Sequence, residues 1–286
     1  MTTSRLSDWS QTAASNTDIG GISIGPGAMT PTSTDDAVRE MMAQIAAAQA
    51  QGGEITDGKL ISVDLVTATS ASFALNALTS DVTFLLIGGG GAGGGQPTGG
   101  SGLAYAASGG NAGSVCRAVS KIDATSVSTV NIQIGSAGAA SSAGTGGDGG
   151  ATTITIDGTT YTASGGKGGV SISGQAEAEA AIPAIDTPTS AQAGTQVSPG
   201  AHGGYGLSMG PTAFSTSLCI GGGGASSLFG RGGAPVRLRS SSTSSAAGVA
   251  ASGYGSGGSG AVMLGGGGAR SGGAGAAGCA ILWQWG

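Results

Sequence analysis

From Lys59 onward apolar and polar residues alternate in short runs: KLISVDLV (59–66), SFALNAL (72–78), VTFLLI (82–87), GSVCRAVS (113–120), VSTVNIQIG (127–135), ATTITIDG (151–158) and TYTAS (160–164). A period of two in stretches rich in Val, Ile and Thr predicts β-strands with one buried face. Asp157-Gly158, inside IDGTTY, predicts a two-residue hairpin turn between two of them. The terminal run GCAILWQW (278–285) has the same character. It predicts a strand that returns to the first sheet after a long glycine-rich excursion.

Before Lys59 the period is different. In STDDAVREMMAQIAAAQAQGG, Ser33 or Thr34 can cap a helix, Asp35 and Asp36 suit its positive end, and Gly52 and Gly53 stop it. Val38, Met41, Met42, Ile45 and Ala48 then form one apolar stripe on a helix over 35–51. A helix barely longer than the ~12 to 15 residues needed for independent stability must dock on something, so the stripe is an oligomerisation or attachment surface.

Composition changes the picture between the strands. Glycine supplies 61 of 286 residues, charged residues only 9% and aromatics 4%. Glycine buries no side chain and loses the most backbone entropy on folding, so ordinary core packing cannot order such segments. Disordered chains, however, are typically polar and highly charged, and this one has a mean hydropathy of +0.20. Backbone hydrogen bonding between glycine segments is the remaining source of order. Polyproline II helices, with three residues per turn and no internal bonds, can lie side by side and bond to one another. The glycine runs lack the strict G-x-y period of collagen.

The expected fold is therefore mainly β: a short N-terminal helix, a small antiparallel β-sandwich-like core, and glycine-rich arms packed as polyproline II-type helices. Two regions are expected, an N-terminal segment 1–58 and a glycine-rich domain 59–286. In the latter, a β core 59–166 is closed by strand 278–285, with arms and loops at 88–112 and 165–277.

Gly88, Gly90 and Gly93 match the G-x-G-x-x-G spacing of a dinucleotide loop. That site needs a following helix whose N-terminus holds the pyrophosphate, and an acid about 20 residues on. Pro97 and many glycines follow instead, and residues 96–122 contain no Asp or Glu. No cofactor is expected. His202 is the sole histidine, which leaves no zinc set or proton relay. Asp148 and Asp157 are the best carboxylates for glycan hydrolysis, but Asp before Gly is more simply a turn former. GTGGDGGAT resembles a calcium-binding nonapeptide repeat, yet stands as one copy. No catalytic or metal site is assigned. Cys116, Cys219 and Cys279 show no CxxC spacing and read as small buried residues, with one disulfide as the alternative.

Charge is unevenly placed. Residues 1–186 hold all 15 acids and 6 of the 10 bases, a sum of −9; residues 187–286 hold Arg231, Arg237, Arg239 and Arg270 and no acid, a sum of +4. Guanidinium forks suit phosphate and carboxylate oxygens. Tyr105, Tyr205, Phe214, Phe229 and Tyr254 are expected in loops beside glycine, where aromatics can stack on sugars or fill a receptor pocket. With His202 and the four arginines they form the candidate receptor-binding set. A net charge of −5 and the absence of recognised motifs argue against nucleic acid. No apolar stretch approaches a membrane span, and MTTSRLSDWSQ has no signal-peptide core.

Two stretches carry a family resemblance. DWSQTAASNTD with TSTDDAVREMMAQIA resembles the segment W-S-x-T-A-A-x-N … N-D-S-A-R-x-M-M-A near the N-termini of tailed-phage fibre proteins, with Asp36 where that family often has Ser. VTFLLIGGGGAGGG through GSVCRAVS, VNIQIGSAGAA, GGDGGATTIT and YTASGGKGG is similar to the glycine-rich domain of phage tail-fibre tips and adhesins. The resemblance implies a structural virion component, not an enzyme, assembled in the host cytoplasm. Its N-terminal part would attach to other tail or fibre proteins, with Trp9 joining Val38, Met41, Met42 and Ile45. Its C-terminal part would bind a bacterial surface receptor, whether glycan, lipopolysaccharide or surface protein, and a homotrimer is expected as for fibres. A purely structural glycine-rich protein of silk-like or ice-binding type, or a surface-polysaccharide depolymerase, is the alternative.

Overall fold

A computed structural model describes residues 18–19, 22–23, 41–43, 58–99, 103–122, 127–171, 177–179, 194–209, 217–240 and 244–286. The chain divides into two units, Met1–Lys59 with Gly286, and Leu60–Trp285. In the first, β1 (Asp18–Ile19) pairs with β2 (Ile22–Ser23), and residues 41–43 are helical. There Met42 is 2% exposed and Met41 56% exposed. The rest of the expected helix 35–51, with Val38 and Ile45, and Trp9 lie outside the described residues.

The second unit is mainly β, and its alternating runs become strands. In chain order they are β3 (Leu60–Val66), β4 (Ser70–Ala74), β5 (Asp81–Ile87), β6 (Ala104–Ala106), β7 (Val115–Lys121), β8 (Thr129–Gln133), β9 (Thr152–Ile156) and β10 (Thr159–Ala163). Then come β11 (Glu177–Glu179), β12 (Gln196–Ser198), β13 (Leu207–Met209), β14 (Ser217–Ile220), β15 (Phe229–Arg231), β16 (Arg237–Ser240), β17 (Ser244–Ala246), β18 (Ser252–Tyr254), β19 (Val262–Leu264) and β20 (Cys279–Trp285). The run 72–78 stops early as a strand. The Asn76 side chain accepts the Leu78 N–H at 3.0 Å and its carbonyl accepts the Thr79 N–H at 3.0 Å, so a turn forms where alternation alone predicts extension.

Two antiparallel sheets make the core. The five-stranded sheet has the order β12-β7-β5-β20-β3 and the four-stranded sheet the order β10-β9-β8-β4. Val82, Phe84, Leu86, Cys116, Ala118, Ala280 and Leu282 of the first meet Val130, Ile132, Ile154, Ile156, Tyr161 and Ala163 of the second in one buried cluster. Phe84 and Tyr161 stack edge to face with centroids 4.8 Å apart. Asp157 and Gly158 both take positive φ, 46° and 72°, as the β9-β10 hairpin requires.

From this sandwich the chain leaves and returns as glycine-rich arms. The arm 88–96 shows how they are held. Gly88, Gly91 and Gly94 donate to the carbonyls of Ser114, Asn111 and Ser108; Gly89, Ala92 and Gly95 to Gly150, Gly147 and Gly144; Gly90, Gly93 and Gln96 to Ala276, Gly273 and Arg270. Every third N–H reaches the same neighbour, at 2.8–3.0 Å throughout. The bonding therefore repeats every three residues along the arm. The carbonyls of the same arm accept from Gly138, from Gly166 and Gly169, and from Gly258 and Ala261. The arm is thus enclosed on all sides by backbone, and its glycines are there because no Cβ fits. A Cβ on Gly93 would lie 1.9 Å from the Ser259 carbonyl oxygen.

The same bonding recurs in 107–114, which donates to 255–261, 164–170 and 201–204. It extends to 135–150 as well, inside the span 59–166 expected as the β core: Gly147 and Gly150 donate to Ala139 and Ser136. Thr152 fastens the junction of arms and sandwich, donating from Oγ1 to the Ile87 carbonyl at 2.6 Å and accepting the Gly135 N–H at 3.0 Å.

Candidate functional site

Arm 88–96 begins at β5 in the sandwich, and its register assigns each loop to one end of the bundle. Eight rises of ~3.1 Å put its far end about 25 Å from the sandwich. At that far end two small sheets cap the arms, of order β11-β13-β14-β16 and β17-β19-β6. Ala104, Ala106, Cys219, Val262 and Leu264 form their shared core, with Val236, Leu238 and Ala246 packed against it. Ala-, Ser- and Gly-rich sequence hides most of these short strands, because side chains this small leave no clear alternation.

Arg237 and Arg239 sit two apart on β16, both exposed, on either side of Leu238, which packs on the cap core. Alternation on a strand therefore turns both guanidinium groups to the outer face, about 7 Å apart along the chain. Their register partners on β14 are Ile220 and Leu218, both half-buried, and Ile220 is paired in turn with Leu207, 36% exposed. Arg270 is exposed at the same end. Its backbone bridges Gln96 and its Nε donates to Ser245 Oγ at 3.0 Å. Tyr205, 55% exposed, follows Gly204, whose carbonyl accepts the Gly109 N–H near the far end of the return arm 107–114. Two guanidinium groups beside a half-buried apolar row can engage phosphate or carboxylate oxygens together with an apolar or sugar surface.

Other members of the candidate set lie elsewhere. Tyr105 is not in an exposed loop: it is inside β6, 6% exposed, opposite Met263. Phe229 and Tyr254 are strand residues rather than loop residues, directly opposite each other in the β15-β18 pair. That pair lies at the sandwich end, because Gly113 donates to the carbonyl of Gly255, one residue after β18. Arg231 belongs there too, opposite Ser252, and the residues between it and Arg237 carry the chain about 19 Å toward the far end at ~3.1 Å per residue. His202 is exposed beside Ala201, whose carbonyl accepts the Ala112 N–H, also toward the sandwich. Phe214 lies outside the described residues. Closeness in sequence misled here because each arm carries the chain to the opposite end within a few residues.

The carboxylates weighed for hydrolysis are engaged in structure. Asp148 accepts from Lys167 Nζ at 3.0 Å and from the Gly168 N–H at 2.8 Å, tying two arms together. Asp157 occupies the hairpin turn. Cys116, Cys219 and Cys279 are free and buried, which removes the disulfide alternative. Burial pushes each thiol up to about 11. Only about one in a thousand is then thiolate at pH 8. Iodoacetamide at that pH is expected to label none of the three in folded protein and all three in guanidinium, as read by mass spectrometry. Among the described residues no group of His, Cys, Asp and Glu is arranged to hold a metal, and no helix is long and apolar enough to cross a membrane.

No curated protein matches the chain. A family model described as a glycine-rich domain matches residues 66–283, from the last residue of β3 to the third-last of β20, and so spans the sandwich, the arms and the cap together. The chain belongs to this glycine-rich domain family.

Proposed function

We propose that the protein is a tailed-phage tail-fibre or fibre-tip component that binds a bacterial surface receptor through the far end of its glycine bundle. The observation that carries this reading is the placement of Arg237, Arg239 and Arg270 at one end of a rigid set of arms, about 25 Å from the sandwich. Recognition groups concentrate on loops and edges presented by a rigid scaffold. Bacterial surfaces are rich in phosphate and carboxylate, which guanidinium forks pair with in bidentate fashion. The N-terminal segment would attach the protein to other fibre or tail proteins on the virion, as the motif DWSQTAASNTD suggests. The protein acts in this reading as a non-enzymatic adhesin.

Exposed ion pairs contribute ~0 to 1 kcal/mol each, so several must act together and salt should weaken them. The double variant Arg237→Glu, Arg239→Glu is expected to lower adsorption of the purified protein to host cells about tenfold or more, a reversal of two charges being worth at least ~1.4 kcal/mol. Wild-type adsorption should decline as sodium chloride rises. Phe229→Ala with Arg231→Ala, at the sandwich end, should change little. Adsorption lost in the second variant and kept in the first would place the receptor site at the opposite end. Release of sugar from host polysaccharide would instead favour a depolymerase.

A further inference from the structure

The outer face of the five-stranded sheet is built like an inner one. On the strands that alternate into the sandwich core, the other positions should be polar if that face met water, as in antiparallel sheets with one solvated side. Beside the polar Asp81, Thr83, Arg117, Lys121, Gln196 and Ser198 they include Val63 and Leu65 on β3, Ile281 and Trp283 on β20, Leu85 on β5 and Val119 on β7. The register lines them up in two adjacent rows: Leu65, Ile281 and Leu85, continuing to Arg117 and Gln196, and Val63, Trp283 and Thr83, continuing to Val119. Val63 is 53% exposed, Leu65 56% and Val119 62%, while Ile281, Trp283 and Leu85 are half-buried. In a chain with 4% aromatics, this face holds a tryptophan. Contiguous apolar patches of this kind mark interaction sites.

We propose that this face is an interface between copies of this chain, in which Val63, Leu65, Trp283, Ile281 and Val119 pack against the same surface of another copy. Charge selects that occupant. The charged outer positions are Arg117, Lys121 and Asp81, and the last two are register partners of opposite sign. The face therefore keeps Arg117 as its one uncompensated charge, too little to hold a polyanion, a basic partner or a charged membrane, and little to repel its own copy. Size agrees. Five strands ~4.8 Å apart and seven residues of ~3.4 Å give roughly 400 Å² in projection. Stable interfaces bury about 800 Å² per partner, so a copy would have to use this face whole. Closed homo-oligomers are the common outcome of a self-complementary surface.

The proposal goes beyond receptor binding and is tested without it, by the mass of the full chain in sedimentation equilibrium at tens of micromolar. Wild type should be oligomeric. Leu65→Glu with Val119→Glu should be monomeric, because burying unpaired charge raises the dissociation constant about tenfold or more per site. Its circular dichroism and melting temperature should stay near wild type, both residues being exposed. A second variant avoids any dependence on that pair folding. Val63→Cys treated with a bismaleimide should cross-link into covalent dimers, since the three native thiols are buried and each chain then offers one reactive thiol, whereas Tyr205→Cys on the bundle should not. A monomeric wild type, an oligomer unaffected by the two glutamates, or cross-linking equal at Val63 and Tyr205 would each overturn the proposal.

Discussion

Gly90→Val is expected to leave no folded protein, while Gly268→Val, also inside a GGGG run, is expected to be almost silent. A Cβ on Gly90 would stand 2.0 Å from the Ser256 carbonyl oxygen and 2.3 Å from its carbon, whereas one on Gly268 meets nothing within 4 Å. Extra bulk in an ordinary core costs ~1 to 3 kcal/mol, because side chains can shift rotamer. The atoms nearest a Cβ on Gly90 are all backbone, of Ser256 and Gly255, which cannot change rotamer. The Gly90 N–H is bonded to Ala276 at 2.8 Å and its carbonyl to Gly138 at 2.8 Å, so moving the arm breaks bonds to several others at once. The cost should approach the ~5 to 15 kcal/mol that holds a whole domain folded. Thermal unfolding of the two variants decides the matter: equal melting temperatures would mean that arm 88–96 is a flexible linker.

Removal of the last eight residues, 279–286, is expected to abolish folding just as completely. Terminal residues are ordinarily dispensable. Here they form β20, which lies inside the sheet, paired in register with β5 from Cys279 to Trp285 on one side and with β3 on the other. Its Ala280 and Leu282 are fully buried, and loss of a single buried Leu side chain already costs ~2 to 5 kcal/mol. Gln284 adds a polar clamp. Its Oε1 accepts from the Asn76 N–H at 2.8 Å and from Thr79 Oγ1 at 2.9 Å, and its Nε2 donates to Asp64 at 2.8 Å. Without β20, β3 has no partner strand and the sandwich core is open. A truncated chain that gives soluble protein with wild-type thermal stability would contradict this arrangement.

Much of the sandwich is legible from residue order because its strands announce themselves through side chains. Val82, Phe84 and Leu86 alternate with Asp81, Thr83 and Leu85, and the alternation is the burial pattern. Asp157-Gly158 specifies its turn by the positive φ those residues tolerate. The return of GCAILWQW to the first sheet follows from the same logic, since an apolar alternating strand needs a sheet.

The arms are a different case, and the three GGGG runs show why. Residues 88–91 and 221–224 both run enclosed in the bundle, a Cβ on Gly222 or Gly224 lying 1.9 or 1.8 Å from a backbone carbonyl oxygen while one on Gly223 only touches Pro235 at 3.4 Å; 265–268 instead form a turn, with Gly265 and Gly266 at φ 63° and 78°. Four identical letters take two different roles because glycine has no side chain to encode one, and its hydrogen-bonding groups are those of every other residue. Partner choice among the arms is settled by the lengths of the chain between sandwich and cap and by the mutual closure of the bundle. The same closure decided that Tyr105 is buried, that Phe229 faces Tyr254 across a strand pair, and that Arg231 and Arg237 stand at opposite ends. Sequence determined the sandwich through side-chain periodicity; the bundle, held by backbone alone, took its order only from the assembled tertiary structure.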